Sequence, residues 1–127
     1  MSDFRTPLKT ALGLGSARQG AHHFVVQRVT ALALVFLSVW FVWIVLSALH
    51  GGYAHAHALI AAPWNAVLMI AFVITAFWHA QLGLQVVLED YVHTRWLETL
   101  AQIVVKFFCF LGAAACVLAV VRIALGR

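Results

Sequence analysis

The chain has 127 residues, of which 65% are hydrophobic and 9% are charged. A soluble domain carries about 25% charged residues, so this composition excludes an ordinary soluble domain and leaves no stretch for a soluble catalytic domain. The formal net charge is +4. The Lys and Arg residues flank apolar runs and form no basic patch, so we expect no nucleic-acid partner.

Three long apolar runs predict three transmembrane helices, because each is near or above the roughly 20 residues that a helix needs to cross the bilayer core. We therefore predict an all-α integral membrane protein with a loose polar arm at residues 1–20, which would be cytoplasmic. Residues 21–127 are predicted to form one three-helix membrane anchor. Its helices are expected at about residues 21–49, 64–90 and 100–125.

Turn-forming residues mark the expected connections between these helices. Gly51 and Gly52 end the first helix, and Pro63 suits the first turn of the second. We expect a short loop between Gly51 and Pro63, and a second connection at residues 91–99. The two cysteines lie seven residues apart on the third helix, about 10 Å along its axis. They are therefore predicted to be unpaired, because that separation is too long for a disulfide.

The distribution of Lys and Arg predicts the orientation in the membrane, because cytoplasmic flanks carry more of them. Six basic residues lie on the side of the N-terminus and the second connection: Arg5, Lys9, Arg18, Arg28, Arg95 and Lys106. The first connection has none, and the C-terminal end has two, Arg122 and Arg127. We expect the N-terminus inside, the C-terminus outside, and a multi-pass location in a bacterial inner membrane.

His79 lies within the second apolar run, far from either end. An imidazole in hydrocarbon is costly unless something binds it, so an intramembrane histidine is a functional candidate. At about 100° per residue, Gly83 and Asp90 return to the same helix face, and Gly83 would let a large flat partner approach. A neutral imidazole nitrogen here is a suitable axial ligand for haem iron. The alternative is a structural histidine that is hydrogen-bonded to a neighbouring helix.

The other histidines lie near helix ends, so this chain is expected to supply one axial ligand. Six-coordinate haem would take its second ligand from another chain, which predicts a hetero-oligomer. On the outer side lie His50, His55 and His57. Their spacing suits a metal ion, but a solvated loop is the simpler interpretation.

Two groups of polar residues meet at the predicted inner surface. Asp90 and Tyr91 close the second helix. A phenol that donates to a carbonyl oxygen and a carboxylate that relays a proton suit a quinone head group. The planar guanidinium of Arg28 can donate two hydrogen bonds to a carboxylate such as a haem propionate. His22 could pair with the same groups. The alternatives are a hydrated helix end and, for Arg28, a positive-inside anchor that snorkels to water.

Three blocks of sequence resemble, in order, the smaller membrane-anchor subunit of succinate dehydrogenase (succinate:quinone oxidoreductase, respiratory complex II). They are Gly20-x-His22-x-Phe24-x-x-x-Arg28-x-Thr30-Ala31, then His79-Ala80-x-x-Gly83, then Asp90-Tyr91. The resemblance implies that His79 ligates haem b iron and that the other axial histidine belongs to a larger cytochrome b-type subunit. It also implies that Tyr91 and Asp90 bind quinone. Arg28 and His22 would lie near the haem propionates and the quinone pocket.

The resemblance also implies an electron-transfer role inside a larger complex. A flavoprotein subunit oxidises succinate, an iron–sulfur subunit passes electrons toward the membrane, and ubiquinone is reduced where the anchor meets that subunit. This chain would supply a wall of the quinone site, half of the haem ligation and an attachment surface. Three alternatives stay open: an anchor for fumarate reduction, a small transporter with a proton path through His79 and Asp90, and a purely structural anchor.

Overall fold

The structure is a computed structural model that describes the backbone of residues 15–126 and the side chains of residues 21–126. It contains three helices, α1 (Gly15–Ala61), α2 (Pro63–Tyr91) and α3 (Arg95–Ala124), and no strand in the part of the chain that it describes. All three helices are long and apolar enough to cross a membrane. The predicted all-α, three-span architecture is therefore confirmed.

Helix α1 extends further than the sequence predicts at both ends. It begins at Gly15 rather than near residue 21, so residues 15–20 are helical and not part of a loose arm. The rest of the predicted arm, residues 1–14, lies outside the described residues. At its other end α1 continues to Ala61, with one non-helical residue, Gly52, at φ 69°. Glycine adopts this left-handed conformation without steric cost, so Gly52 bends the helix.

The predicted loop between Gly51 and Pro63 is consequently wrong, because residues 53–61 are helical. This segment contains four alanines and a leucine, which are strong helix formers. The break at Gly52 redirects the chain, and the helix resumes. The turn proper is a single residue, Ala62, in an extended conformation (φ −60°, ψ 126°), which is the conformation required before proline.

The second connection is also shorter than predicted. Tyr91 is the last residue of α2, and α3 begins at Arg95, so residues 92–94 form the link. The Val92 N–H donates to the Leu88 carbonyl oxygen at 2.9 Å and closes α2. Glu98 lies in the first turn of α3 and Arg122 in its last turn. These charges are favourable at the two ends of the helix dipole.

Helix α2 packs against both other helices, whereas α1 and α3 touch each other least. A small core lies near the α1–α2 corner and is formed by Ile44, Ala66, Met69 and Val120. Most other large apolar side chains are on the outside of the bundle. Such a surface is stable against lipid tails or partner helices, because apolar side chains incur no penalty there.

The two cysteines, Cys109 and Cys116, are both free. The prediction that they do not pair is confirmed.

Candidate functional site

His79 lies in the middle of α2 and faces α1. It is about 24 Å from the start of α2 and about 18 Å from its end. Its ring is half-buried, and its Nδ1 is 3.0 Å from the hydroxyl oxygen of Thr30 on α1. Phe72, two turns earlier on α2, stacks on Phe41 of α1 with ring centroids 4.6 Å apart. Both contacts hold the same face of α2 against α1.

Thr30 connects this ring to the backbone of α1. Among residues 21–126 it is the one buried polar residue, with 7% of its surface exposed. Its Oγ1 lies 2.9 Å from the carbonyl oxygen of Val26 and 3.0 Å from that of Gln27. The helix carbonyls, the hydroxyl and the imidazole thus form a continuous hydrogen-bonded chain across the helix interface.

The contact between Thr30 and His79 was missed by sequence reasoning, which identified Thr30 only as a member of a motif. This contact bears on the two interpretations of His79, as a ligand and as a structural histidine. A hydrogen bond to a neighbouring helix exists, as the structural alternative requires, but it involves only Nδ1. Within the described residues, the ring's other nitrogen makes no hydrogen bond.

Gly83 lies one turn from His79 and borders open space. A Cβ atom built on Gly83 meets no described atom within 4 Å. Gly112 on α3 is the opposite case, because a Cβ built there lies 2.6 Å from the Cε1 of Phe77. Gly112 therefore serves packing within the chain, whereas Gly83 leaves room for a group from outside it.

A groove of about 750 Å³ lies between the first turns of the described α1 and the last turns of α2. Its walls combine apolar side chains with five polar ones: His22, His23, Gln27, Gln85 and Glu89. The Gln85 amide donates to the Glu89 carboxylate at 2.9 Å. The Nε2 of His23 is buried and has no hydrogen-bond partner in the described part of the chain. Buried polar atoms are normally paired, so this nitrogen is an exception among the described residues. The polar side chains that line the groove make it suited to a polar ligand group.

Of the four remaining predicted site residues, three lie outside this groove. His22 lines it, but Arg28 is exposed, with its guanidinium carbon 5.0 Å from the ring centroid of Phe24. Asp90 is also exposed, and Tyr91 has 79% of its surface exposed at the end of α2. The structure therefore brings His22 into one groove with Glu89 and leaves Arg28, Asp90 and Tyr91 facing outward.

Two of the three histidines near the first connection make local contacts. His50 Nδ1 is 2.7 Å from the Leu46 carbonyl oxygen, and the ring of His57 lies 6.0 Å from that of Tyr53. No group of three metal-ligating side chains occurs among the residues described.

These features define a class of protein: a three-span membrane subunit with a half-buried histidine between two helices and outer faces available to partners. A family model described as "Succinate dehydrogenase/Fumarate reductase transmembrane subunit" matches residues 2–113. The chain belongs to this family, so the resemblance stated from its sequence blocks is confirmed.

Curated relatives from bacteria extend this comparison over nearly the whole chain. A Rickettsia bellii protein is 36% identical over 118 residues, covering 93% of this chain and 94% of the relative. A Rickettsia conorii protein is 33% identical over 118 residues (92% and 94%). A Paracoccus denitrificans protein is 32% identical over 123 residues (95% and 93%). Each is named succinate dehydrogenase hydrophobic membrane anchor subunit.

No solved structure matches the chain significantly. The three spans and the bacterial relatives together confirm the predicted multi-pass location in a bacterial inner membrane.

Proposed function

We propose that this chain is the hydrophobic membrane-anchor subunit of a succinate dehydrogenase and that His79 supplies one axial ligand to haem b. Family membership and the names of the relatives support the anchor role. The observation that carries the haem role is the half-buried ring in mid-span. One nitrogen of this ring is bonded to Thr30, and the other makes no hydrogen bond within the described residues and would bind the iron. A histidine of a larger cytochrome b-type subunit would supply the second axial ligand.

Haem b, when bound, supplies a one-electron carrier in the interior of the membrane. The residues of this chain fit such a group in three respects. His79 offers a ligand nitrogen, the open space at Gly83 leaves room beside it, and the groove is lined by polar side chains that include His22 and Gln27. For the propionate carboxylates, Arg28 and His22 offer donors, and charge-assisted hydrogen bonds of this kind are strong.

The quinone part of the proposal depends on Asp90 and Tyr91. Both are exposed at the end of α2, where a head group from the bilayer and a partner subunit can meet. The Tyr91 hydroxyl would donate to a quinone carbonyl oxygen. The Asp90 carboxylate would orient the site and pass a proton when ubiquinone is reduced to ubiquinol.

The exposed end of α2 and the short link at residues 92–94 also offer a surface to the iron–sulfur subunit. That subunit would deliver electrons which the flavoprotein subunit takes from succinate. The family description covers fumarate reductases as well, but the relatives are named as succinate dehydrogenase subunits, which favours the succinate direction. Membership of this family argues against the transporter alternative.

The test is to replace His79 by alanine in the complete complex, purified with its partner subunits identified by mass spectrometry. We expect the H79A complex to lose the low-spin, doubly ligated signature of haem b in reduced-minus-oxidised absorption and electron paramagnetic resonance spectra. The matched control is H55A, because His55 is an exposed histidine near the opposite end of the bundle. An H79A complex with the parent spectrum and reduction potential would remove His79 from this role.

A further inference from the structure

We propose that Thr30 is the positioning residue of His79: it holds the ring in the tautomer that carries its proton on Nδ1, so that Nε2 presents a lone pair. This inference rests on the proposed function, because it concerns the same ring and states which of its nitrogens would bind the metal. It assigns to Thr30 a role in presenting the ligand, beyond its place in the packing of α1.

The direction of the hydrogen bonds follows from counting protons. The Thr30 hydroxyl has one proton and three polar neighbours, namely the carbonyl oxygens of Val26 and Gln27 at 2.9 and 3.0 Å and the Nδ1 of His79 at 3.0 Å. Carbonyl oxygens can only accept. Every contact has a donor if the hydroxyl proton is shared between the two carbonyls and Nδ1–H donates to Oγ1.

The opposite tautomer satisfies fewer groups. Nδ1 of His79 would then compete with two carbonyl oxygens for the single hydroxyl proton of Thr30. The proton on Nε2 would have no acceptor in the described residues. Thr30 is 7% exposed, and both residues lie in helices that are apolar enough to span a membrane, where an unpaired polar group is costly. The membrane environment therefore strengthens the preference for a proton on Nδ1.

Threonine is suited to this position by its shape. Its branched side chain restricts rotation about χ1, and its hydroxyl can bond the carbonyls three and four residues earlier in a helix. Both bonds are present for Thr30, so Oγ1 is fixed on the side of α1 that faces His79. Serine would keep the hydroxyl with less restriction, and valine would keep the shape without the hydroxyl.

A hydrogen bond from the non-ligating nitrogen raises the basicity of the ligating one. A more basic ligand favours the oxidised metal over the reduced metal. Loss of the Thr30 bond is therefore expected to make the haem reduction potential more positive. It is also expected to weaken retention of the haem by about 10- to 100-fold, the usual effect of removing such a partner.

The experiment compares T30V and T30S in the purified complex, with T99V as matched control. Thr99 bonds the Arg95 carbonyl at 2.9 Å, four residues earlier in its helix, but it is exposed on α3 and has no hydrogen bond to a histidine among the described residues. The measurements are the haem midpoint potential by redox titration and the rate of haem loss to an excess of apomyoglobin. We expect a more positive potential and faster loss in T30V, and parent values in T30S and T99V.

Parent potential and parent haem loss in T30V would overturn the inference. The H79A complex, purified in parallel, distinguishes the two proposals. If H79A has lost the haem signature, the proposed haem role of His79 survives a negative result with T30V. If H79A keeps the parent spectrum, the proposed haem role of His79 has failed. Should T30V not assemble, the comparison is made between T30A and T30S, which differ by one hydroxyl group. Equal potentials and equal haem loss in that pair would overturn the inference, and a more positive potential in T30A would support it.

Discussion

Replacing Gly83 by leucine is expected to weaken the contact with a partner group without lowering the stability of this chain. A Cβ on Gly83 meets nothing within 4 Å, and leucine has a higher helix propensity than glycine by up to about 1 kcal/mol. The substitution is therefore expected to leave membrane insertion and the amount of chain unchanged or slightly raised. If a haem edge or the helix of the second ligand packs here, the added side chain overfills the contact.

Overpacking costs about 1–3 kcal/mol, which corresponds to about a 5- to 140-fold weaker association. The assay is the ratio of haem to this subunit in the purified complex, determined by a pyridine haemochrome measurement and by quantitative mass spectrometry. The matched control is A115L, which adds the same side chain at an exposed small residue on another helix, α3. A G83L complex with the parent haem ratio would refute the idea that the space beside Gly83 receives a partner group.

Two further substitutions test other parts of the structure. Gly112→Val places a Cβ 2.6 Å from the Phe77 ring, where ordinary contact begins at 3.4 Å, so the ring must retreat by about 0.8 Å. We expect a loss of about 1–3 kcal/mol in stability and an unchanged haem spectrum, and a melting temperature equal to the parent's would contradict this. Tyr91→Phe would remove the proposed hydrogen bond to the quinone, and such a bond is worth about 0.5–1.5 kcal/mol, so we expect the KM for a soluble ubiquinone analogue to rise by about 2- to 13-fold. Tyr53→Phe is its control, because Tyr53 is a comparably exposed tyrosine at the other end of the bundle, and equal KM values in the two variants would exclude the role of Tyr91.

The errors of prediction were confined to helix ends. Glycine pairs and histidines were interpreted as a loop after residue 50, yet Gly52 only bends α1 before an alanine-rich helical segment. The start of α1 was placed too late, because polar residues and glycines before residue 21 resemble an arm. The helix propensity of residues 53–61 would have predicted that this segment is helical, because alanine needs no burial to favour a helix.

The sequence could single out His79 because a lone imidazole in a long apolar run stands out against its surroundings. It could not identify Thr30 as the partner of that ring. In a bundle whose outer surface is also apolar, hydrophobic periodicity does not mark which helix faces meet, so a pairing between residues 49 positions apart has no local signal. The same limit applies to Gly112, because no local signal shows that it packs against Phe77 of another helix.

Hydropathy along the chain was therefore enough to predict the number of spans, the membrane setting and the position of His79 within its span, because transfer into lipid depends on the composition of each segment. Tertiary structure alone decided that Nδ1 of His79 meets Thr30, that Gly83 borders open space and that Tyr91 faces away from the groove. These are consequences of the rotation and register with which three helices pack, and those depend on side-chain fit between distant segments.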